Sequence, residues 1–77
     1  MANLTQEAIV CIWRDMLELT DISESTHFLE YGGDSLFAVH LGAQLERVFG
    51  IAPSFRELFD LGTVEQLTRW FDSRATL

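Results

Sequence analysis

The 77-residue sequence predicts an all-α fold, a four-helix bundle with three longer helices and one short third helix. Apolar residues recur along the chain at the spacing of amphipathic helices, and no stretch alternates in the manner of a β-strand. Capping residues also recur, because Ser, Thr, Asp or Asn precedes each periodic segment. At this length we expect a single domain, residues 1–77, with a small core.

The first helix is predicted to begin at a cap, Asn3 or Thr5, and to end near Thr20. Asn3 and Gln6 have the spacing of a capping box. Cys11 lies on the polar side of this helix, so we expect an exposed and inert thiol. The side expected to face the core comprises Ile9, Ile12, Trp13, Met16 and Leu17.

A connection without a sustained period follows, over residues 21–33. Connections of this length are usually functional or are anchored by their own side chains. His27 is the one histidine in the connection, and packing is a better interpretation of it than catalysis. The expected anchors are Ile22, Phe28 and Leu29.

The second helix is predicted to run from Ser35 to about Phe49, with Asp34 as N-cap and Gly50 as C-terminal signal. Its outer side is unusually apolar near Ser35, which favours a partner site, although scattered apolar surface residues are also common. The expected core side is Ala38, Leu41, Gly42, Leu45, Val48 and Phe49. The expected outer side is Leu36, Val39, His40, Ala43 and Arg47, with Phe37 and Gln44 at its border.

Two shorter segments complete the bundle. Residues 54–57 have the pattern of a capping box that opens the third helix, which is expected to end at Gly62. Residues 63–66 have the same pattern, and the fourth helix is expected to end near Ser73. The apolar residues of the third helix are Phe55, Leu58 and Phe59, and those of the fourth are Val64, Leu67, Trp70 and Phe71.

The composition argues against several classes of function. The net charge is −7, from 12 acids against 5 bases that are all Arg, which disfavours nucleic acid and anionic membranes as partners. No apolar run approaches the ~18 residues of a membrane span, and residues 1–5 lack the pattern of a signal peptide. A single cysteine permits no internal disulfide, so we expect a cytoplasmic protein.

The candidate site is the Gly-Gly-Asp-Ser-Leu stretch at residues 32–36. Because Asp34 should cap the second helix, Ser35 is expected in the first turn and open to solvent. The string Gly-Asp-Ser-Leu also names a family of serine esterases, whose serine needs a base and an oxyanion hole. Here His40 lies about 140° round the helix from Ser35 and should not reach its hydroxyl. We therefore expect no catalytic residue, and the histidines and cysteine lack metal-ligand spacing.

A helix N-terminus favours a negative group, so a phosphoryl group on Ser35 would be stabilised there, although the neighbouring Asp34 opposes it in part. The residues alone leave a second interpretation open, in which Ser35 only helps to cap the helix.

Residues 28–36 resemble the phosphopantetheine attachment motif of carrier proteins, and the likeness covers nearly the whole chain. It continues in Ile12, Trp13, Leu17, Ala38, Leu41, Leu45, Phe49, Gly50, Leu58, Phe59, Thr63 and Val64. The resemblance implies a non-catalytic bundle of acyl-carrier-protein type. A phosphopantetheinyl transferase with Mg²⁺ would attach 4′-phosphopantetheine from coenzyme A to Ser35, beside Asp34 and Gly33. The thiol of that arm would carry an acyl or aminoacyl group as a thioester.

The glycine at position 33, directly before Asp34, resembles the motif of the peptidyl and aryl carriers of nonribosomal peptide synthesis, which is a type of natural-product pathway. Fatty-acid carriers more often have Ala at this position. The resemblance implies an adenylation enzyme and downstream condensing or tailoring enzymes as partners, with docking expected at Leu36, Phe37, Val39 and His40. Two alternatives stay open: an acyl carrier protein of polyketide or fatty-acid type, and an unmodified helical interaction domain. A monomer is expected. Met1 and the short tail suggest a free-standing carrier, although an excised domain would look similar.

Overall fold

The structure, a computed structural model, describes residues 3–75, so Met1 and the inference drawn from it lie outside the described residues. No β-strand occurs within residues 3–75, and the predicted all-α fold with a short third helix is confirmed. None of the helices in this range is both long and apolar enough to cross a membrane. The elements in order are α1 (Leu4–Leu17), a 3₁₀ turn (Phe28–Tyr31), α2 (Ser35–Phe49), α3 (Phe55–Leu61) and α4 (Val64–Ala75).

Side-chain caps begin the helices, as the sequence predicts. Ser54 and Glu57 form a complete capping box, in which each side chain accepts the other residue's backbone N–H. The box predicted at residues 63–66 is only half formed, because the Thr63 amide donates instead to the Leu61 carbonyl at 2.7 Å. The remaining caps accept from the amide three residues on: Asn3 from Gln6, Asp34 from Phe37, and Thr63 from Gln66.

Left-handed residues end three of the helices. Gly50 (φ 85°) ends α2 and Gly62 (φ 60°) ends α3, both as predicted. The first helix ends earlier than predicted, because Glu18 adopts the left-handed conformation with φ 56°. A non-glycine residue rarely takes this conformation, so the sequence carries no signal for this stop.

One hydrophobic core joins the four helices and the 3₁₀ turn. Trp13 and Phe28 are fully buried, and their rings meet edge to face with centroids 6.2 Å apart. Phe37 contacts both rings, at 6.2 Å from Trp13 and 5.2 Å from Phe28. We call these three residues the aromatic cluster. The rest of the core comprises Ile9, Ala38, Leu41, Leu45, Leu58, Val64, Leu67 and Phe71.

Three expectations about burial are wrong. Phe37 was expected at the border of the outer side of α2, but it is 9% exposed, because Trp13 and Phe28 cover it from distant parts of the chain. Leu29 is 50% exposed. The 3₁₀ turn has three residues per turn, so Phe28 and Tyr31 face the core and Leu29 does not. Val48 is 55% exposed, and its neighbour Phe49 is partly buried against the core.

Candidate functional site

Ser35 is the first residue of α2 and is exposed to solvent. Its hydroxyl forms no hydrogen bond with any residue in the part of the chain that the structure describes. The cap of α2 is Asp34, whose Oδ1 accepts the backbone N–H of Phe37 at 3.0 Å. The interpretation that Ser35 serves as the cap is therefore excluded, and its hydroxyl is free to react.

Neither histidine serves Ser35 as a base. Nε2 of His27 lies 2.9 Å from the carbonyl oxygen of Phe59, and Nδ1 accepts the backbone N–H of Leu29 at 3.1 Å. His27 is thus a packing residue, as expected, with both ring nitrogens engaged. His40 is exposed further along α2 and forms no hydrogen bond with Ser35. Within residues 3–75, no group of three or more His, Cys, Asp or Glu side chains could hold a metal ion.

The two glycines before Ser35 serve different purposes. Gly32 ends the 3₁₀ turn with φ 90°, a conformation that favours glycine. Gly33 has no such backbone angle, but a Cβ there would lie 2.8 Å from Cδ1 of Phe28 and 3.0 Å from Cδ1 of Phe37. Its amide also donates to the Phe28 carbonyl at 3.0 Å. Gly33 is required for close packing against the aromatic cluster, which sequence reasoning did not anticipate.

The start of α2 favours a negative group next to Ser35. The helix has 15 residues, so its aligned peptide dipoles place partial positive charge at this end. The Asp34 carboxylate is itself turned to the Phe37 amide through Oδ1. A phosphodiester on Ser35 would therefore meet a favourable helix terminus, with Asp34 as the opposing charge beside it.

The outer side of α2 is apolar and exposed next to Ser35, as expected. Leu36 is 61% exposed and Val39 is 54% exposed, and His40 is also open to solvent. Phe55 at the start of α3 is 49% exposed and lines a groove with Val39, of about 390 Å³, between α2 and α3. Sequence reasoning missed Phe55 as part of this surface, because its neighbourhood depends on how α3 packs against α2. We call Leu36, Val39, His40 and Phe55 the outer surface.

Comparison with known proteins identifies the family. The family described as "Phosphopantetheine attachment site" matches residues 7–71. Bacitracin synthase 3 of Bacillus licheniformis is 37% identical over 71 residues, covering 92% of this chain and 1% of that protein. One of the linear gramicidin synthase proteins of Brevibacillus parabrevis is 33% identical over 66 residues, covering 86% of this chain and 1% of that protein. The chain therefore spans about 1% of the length of these curated relatives.

Solved structures share the fold. The chain superposes with a TM-score of 0.85 on the structure of McyG A-PCP complexed with phenylalanyl-adenylate, at 28% identity, covering 91% of this chain and 11% of that chain. A peptidyl carrier protein solved with coenzyme A and the phosphopantetheine transferase Sfp gives a TM-score of 0.88 at 24% identity, with 96% of each chain covered. The family match includes Ser35 and most of the chain. This chain belongs to the phosphopantetheine attachment family of carrier proteins, whose cofactor is 4′-phosphopantetheine.

Proposed function

We propose that this chain is a carrier domain that holds an aminoacyl, aryl or peptidyl group as a thioester on a 4′-phosphopantetheine arm attached to Ser35. The observation that carries the proposal is the environment of Ser35, an exposed hydroxyl at the start of α2 to which no base is hydrogen-bonded in residues 3–75. A serine hydroxyl is a weak nucleophile until a base activates it. Ser35 is therefore suited to be modified by another protein rather than to catalyse a reaction itself.

The residues present fit the cofactor. The N-terminus of α2 favours the negative phosphodiester, and the exposure of Ser35 and Leu36 leaves the arm a path into solvent. When attached, the group supplies a terminal thiol that can form a thioester. Gly33 and Asp34 hold the backbone on which the arm would stand, through contact with Phe28 and through the cap.

Attachment of the arm is a phosphoryl transfer that a separate transferase would catalyse with Mg²⁺. The Oγ of Ser35 forms a bond to the phosphorus that bears the pantetheine portion of coenzyme A. The bond from that phosphorus to the bridging oxygen breaks, and adenosine 3′,5′-bisphosphate leaves. The hydroxyl proton would pass to a base of the transferase, because no base is hydrogen-bonded to Ser35 in residues 3–75. The metal offsets the charge of the phosphates during transfer.

Partner enzymes would dock on the outer surface next to Ser35. Leu36, Val39 and Phe55 are each about half exposed or more. Leu36 and Val39 follow Ser35 within the first turns of α2, and Phe55 on α3 shares the groove with Val39. Phe37 is removed from the predicted docking set, because it is part of the aromatic cluster. An arm anchored on a small domain gives each docked partner a high effective concentration of the carried group.

The relatives support an amino acid or peptide as the carried group. Two of them are bacitracin and linear gramicidin synthases, and the McyG structure contains phenylalanyl-adenylate. An aminoacyl adenylate would be a suitable donor to the thiol of the arm, because AMP would be its leaving group. We therefore propose an adenylation enzyme as the loading partner and condensing or tailoring enzymes as the partners that follow.

A loading assay tests the proposed cargo class. The chain is first converted to the modified form with coenzyme A, Mg²⁺ and a promiscuous phosphopantetheinyl transferase. One sample then receives adenylating enzymes with ATP and amino acids or aryl acids, and a second receives malonyl-coenzyme A with an acyltransferase. Intact-protein mass spectrometry should show aminoacyl or aryl loading in the first sample. Loading by malonate alone would contradict the proposal and support a carrier of polyketide or fatty-acid type.

A further inference from the structure

His27 is partly buried between the 3₁₀ turn and the end of α3. Its ring packs on Phe28 with centroids 4.6 Å apart. On another side it meets Gly62, where any Cβ would overlap the imidazole ring. The same junction is closed by a backbone hydrogen bond, since the Phe28 amide donates to the Gly62 carbonyl at 2.9 Å. The connection before Ser35 is thus fixed to α3 at His27 and Phe28.

The hydrogen bonds of His27 require one protonation state. The Leu29 amide is a donor, so Nδ1 must offer a lone pair to accept it at 3.1 Å. The Phe59 carbonyl is an acceptor, so Nε2 at 2.9 Å must carry the hydrogen. Both bonds therefore form only in the neutral imidazole with hydrogen on Nε2. A second proton on Nδ1 would eliminate the acceptor and place two N–H groups against each other.

The position of Gly33 depends on Phe28, the residue that follows His27. The Phe28 ring leaves no room for a Cβ at Gly33, and the Phe28 carbonyl accepts the Gly33 amide at 3.0 Å. Gly33 is two residues before Ser35, with only the cap residue Asp34 between them. A shift of the 3₁₀ turn away from α3 would therefore move the backbone that presents Ser35.

We propose that His27 is a positioning residue for Ser35: its neutral form holds the segment before Ser35 against α3, and its protonation releases that segment and slows modification of Ser35. The inference rests on the proposed function, because the rate of modification is its readout. Histidine is the side chain whose charge ordinarily changes between about pH 5 and pH 8. The rate of Ser35 modification should therefore fall at mildly acidic pH because of a change in this chain, in addition to any effect of pH on the transferase.

The charged groups near this junction do not provide an alternative partner for the ring. The elements packed around His27 carry acids on the preceding connection, the 3₁₀ turn, α3 and the first turn of α4. These acids are Glu24, Glu30, Glu57, Asp60 and Glu65. In the part of the chain that the structure describes, none of them forms an ion pair with the imidazole. Protonated His27 would lose the Leu29 bond without gaining an ion pair in this arrangement.

The tautomer can be tested on the unmodified protein. Long-range ¹H–¹⁵N NMR of the imidazole at about pH 8 distinguishes hydrogen on Nε2 from hydrogen on Nδ1, and histidine should be largely neutral there. We expect His27 to show hydrogen on Nε2, while exposed His40 serves as the internal reference spectrum. A His27 ring protonated on Nδ1 alone would overturn the proposal. This measurement does not require Ser35 to be modified, so it is independent of the proposed function.

The second test compares wild type with His27→Asn over pH. Asn can accept a hydrogen bond from the Leu29 amide as a cap, but it carries no charge at any pH. Both proteins are modified by the same transferase, so the ratio of their modification rates cancels the pH dependence of that enzyme. We measure the initial rate of phosphopantetheinyl transfer at carrier concentrations below KM, and circular dichroism verifies that both proteins are folded. The ratio of the wild-type rate to the His27→Asn rate should fall roughly two- to tenfold between about pH 8 and about pH 5.5. This range corresponds to the net free energy of one hydrogen bond.

A ratio that stays constant with pH would overturn the proposal. His27→Ala lacks any cap, and it should be modified more slowly than His27→Asn at about pH 8. Equal rates for these two variants would also contradict a positioning role. If wild type is not modified at any pH while a control carrier is, the proposed function fails, and the NMR test of His27 remains valid.

Discussion

The two ends of α2 are held in different ways. The end that carries Ser35 is fixed by the aromatic cluster, whose members come from α1, the 3₁₀ turn and α2 itself. The other end is held by Phe49, which stacks on Phe71 with centroids 4.3 Å apart, and by Gly50 as the left-handed stop. Three rings from different parts of the chain thus meet at the reactive end, whereas one stacked pair and a local turn follow the buried Leu45 at the other end.

Exposed apolar residues occur at both ends, so exposure by itself does not identify a docking surface. Val39 near Ser35 is 54% exposed, and Val48 toward the C-terminal end of α2 is 55% exposed. What distinguishes Val39 is its place beside Ser35 and in the groove with Phe55. Paired substitutions at the two ends therefore separate stability from docking.

The largest difference is expected between Phe28→Ala and Phe49→Ala. Phe28 is fully buried against Trp13, Phe37 and Gly33, and its truncation should lower the free energy of unfolding by about 3–5 kcal/mol. Phe49 is only partly buried, so its truncation should cost less. Urea unfolding measures both values. Equal losses, or a larger loss at Phe49, would contradict the comparison of the two ends.

Glycine substitutions should distinguish steric from conformational requirements. Gly33→Ala places a Cβ against Phe28 and should cost about 1–3 kcal/mol through overpacking. Gly50→Ala meets no atom within 4 Å and should cost about 1 kcal/mol because of its φ of 85°. Asn tolerates left-handed backbone, so Gly50→Asn should be milder than Gly50→Ala, while Gly33→Asn should be worse than Gly33→Ala. Unfolding experiments that gave the same order at both positions would refute this distinction.

A negative charge should impair docking of the loading enzyme only at the end of α2 that carries Ser35. Val39→Asp introduces a carboxylate into the outer surface and should lower kcat/KM for loading of the modified chain by roughly fivefold or more, the effect of about 1 kcal/mol at an interface. Val48→Asp is the matched control, with the same chemistry at nearly equal exposure. It should leave loading unchanged, and circular dichroism should be the same for both variants. Equal loading of the two variants would remove Val39 from the docking surface.

The smallest effect concerns the cap of α3, away from both ends of α2. The backbone N–H of Ser54 donates to the Glu57 carboxylate and holds the pKa of Glu57 below its usual value of 4.5. A lowered pKa means that the ionised form stabilises the fold above the unfolded-state pKa, and that this contribution is lost as the pH falls through the folded-state pKa. Glu57→Gln keeps a capping side chain without a charge.

The advantage of wild type over Glu57→Gln in free energy of unfolding should therefore shrink as the solution is acidified. An NMR titration of Glu57 should give a pKa below 4.5, and a value above 4.5 would contradict the cap. Modification of Ser35 should be the same in both proteins, because no hydrogen bond joins Ser54 or Glu57 to the aromatic cluster within residues 3–75.

Local signals in the sequence were enough to predict the four helices and the position of Ser35, but not the end of α1, which is set by the left-handed Glu18. Asp34 and Gly50 act on their own neighbours, so the bounds of α2 could be read directly from the chain. The burial of Phe37 could not, because it depends on Trp13 and Phe28 being brought to it by the fold. The role of His27 is similar, since its Phe59 partner lies 32 positions away. Contacts between distant parts of the chain carry no periodic signal.

The most direct test of the account is the intact mass of the protein after incubation with coenzyme A, Mg²⁺ and a promiscuous phosphopantetheinyl transferase. Wild type should gain the mass of one phosphopantetheinyl group, and fragmentation should place that group on Ser35. Ser35→Ala should gain none, although its fold should be unchanged because the cap is Asp34. An unmodified wild type beside a control carrier that is modified, or a Ser35→Ala variant that gains the same mass, would contradict the central claim.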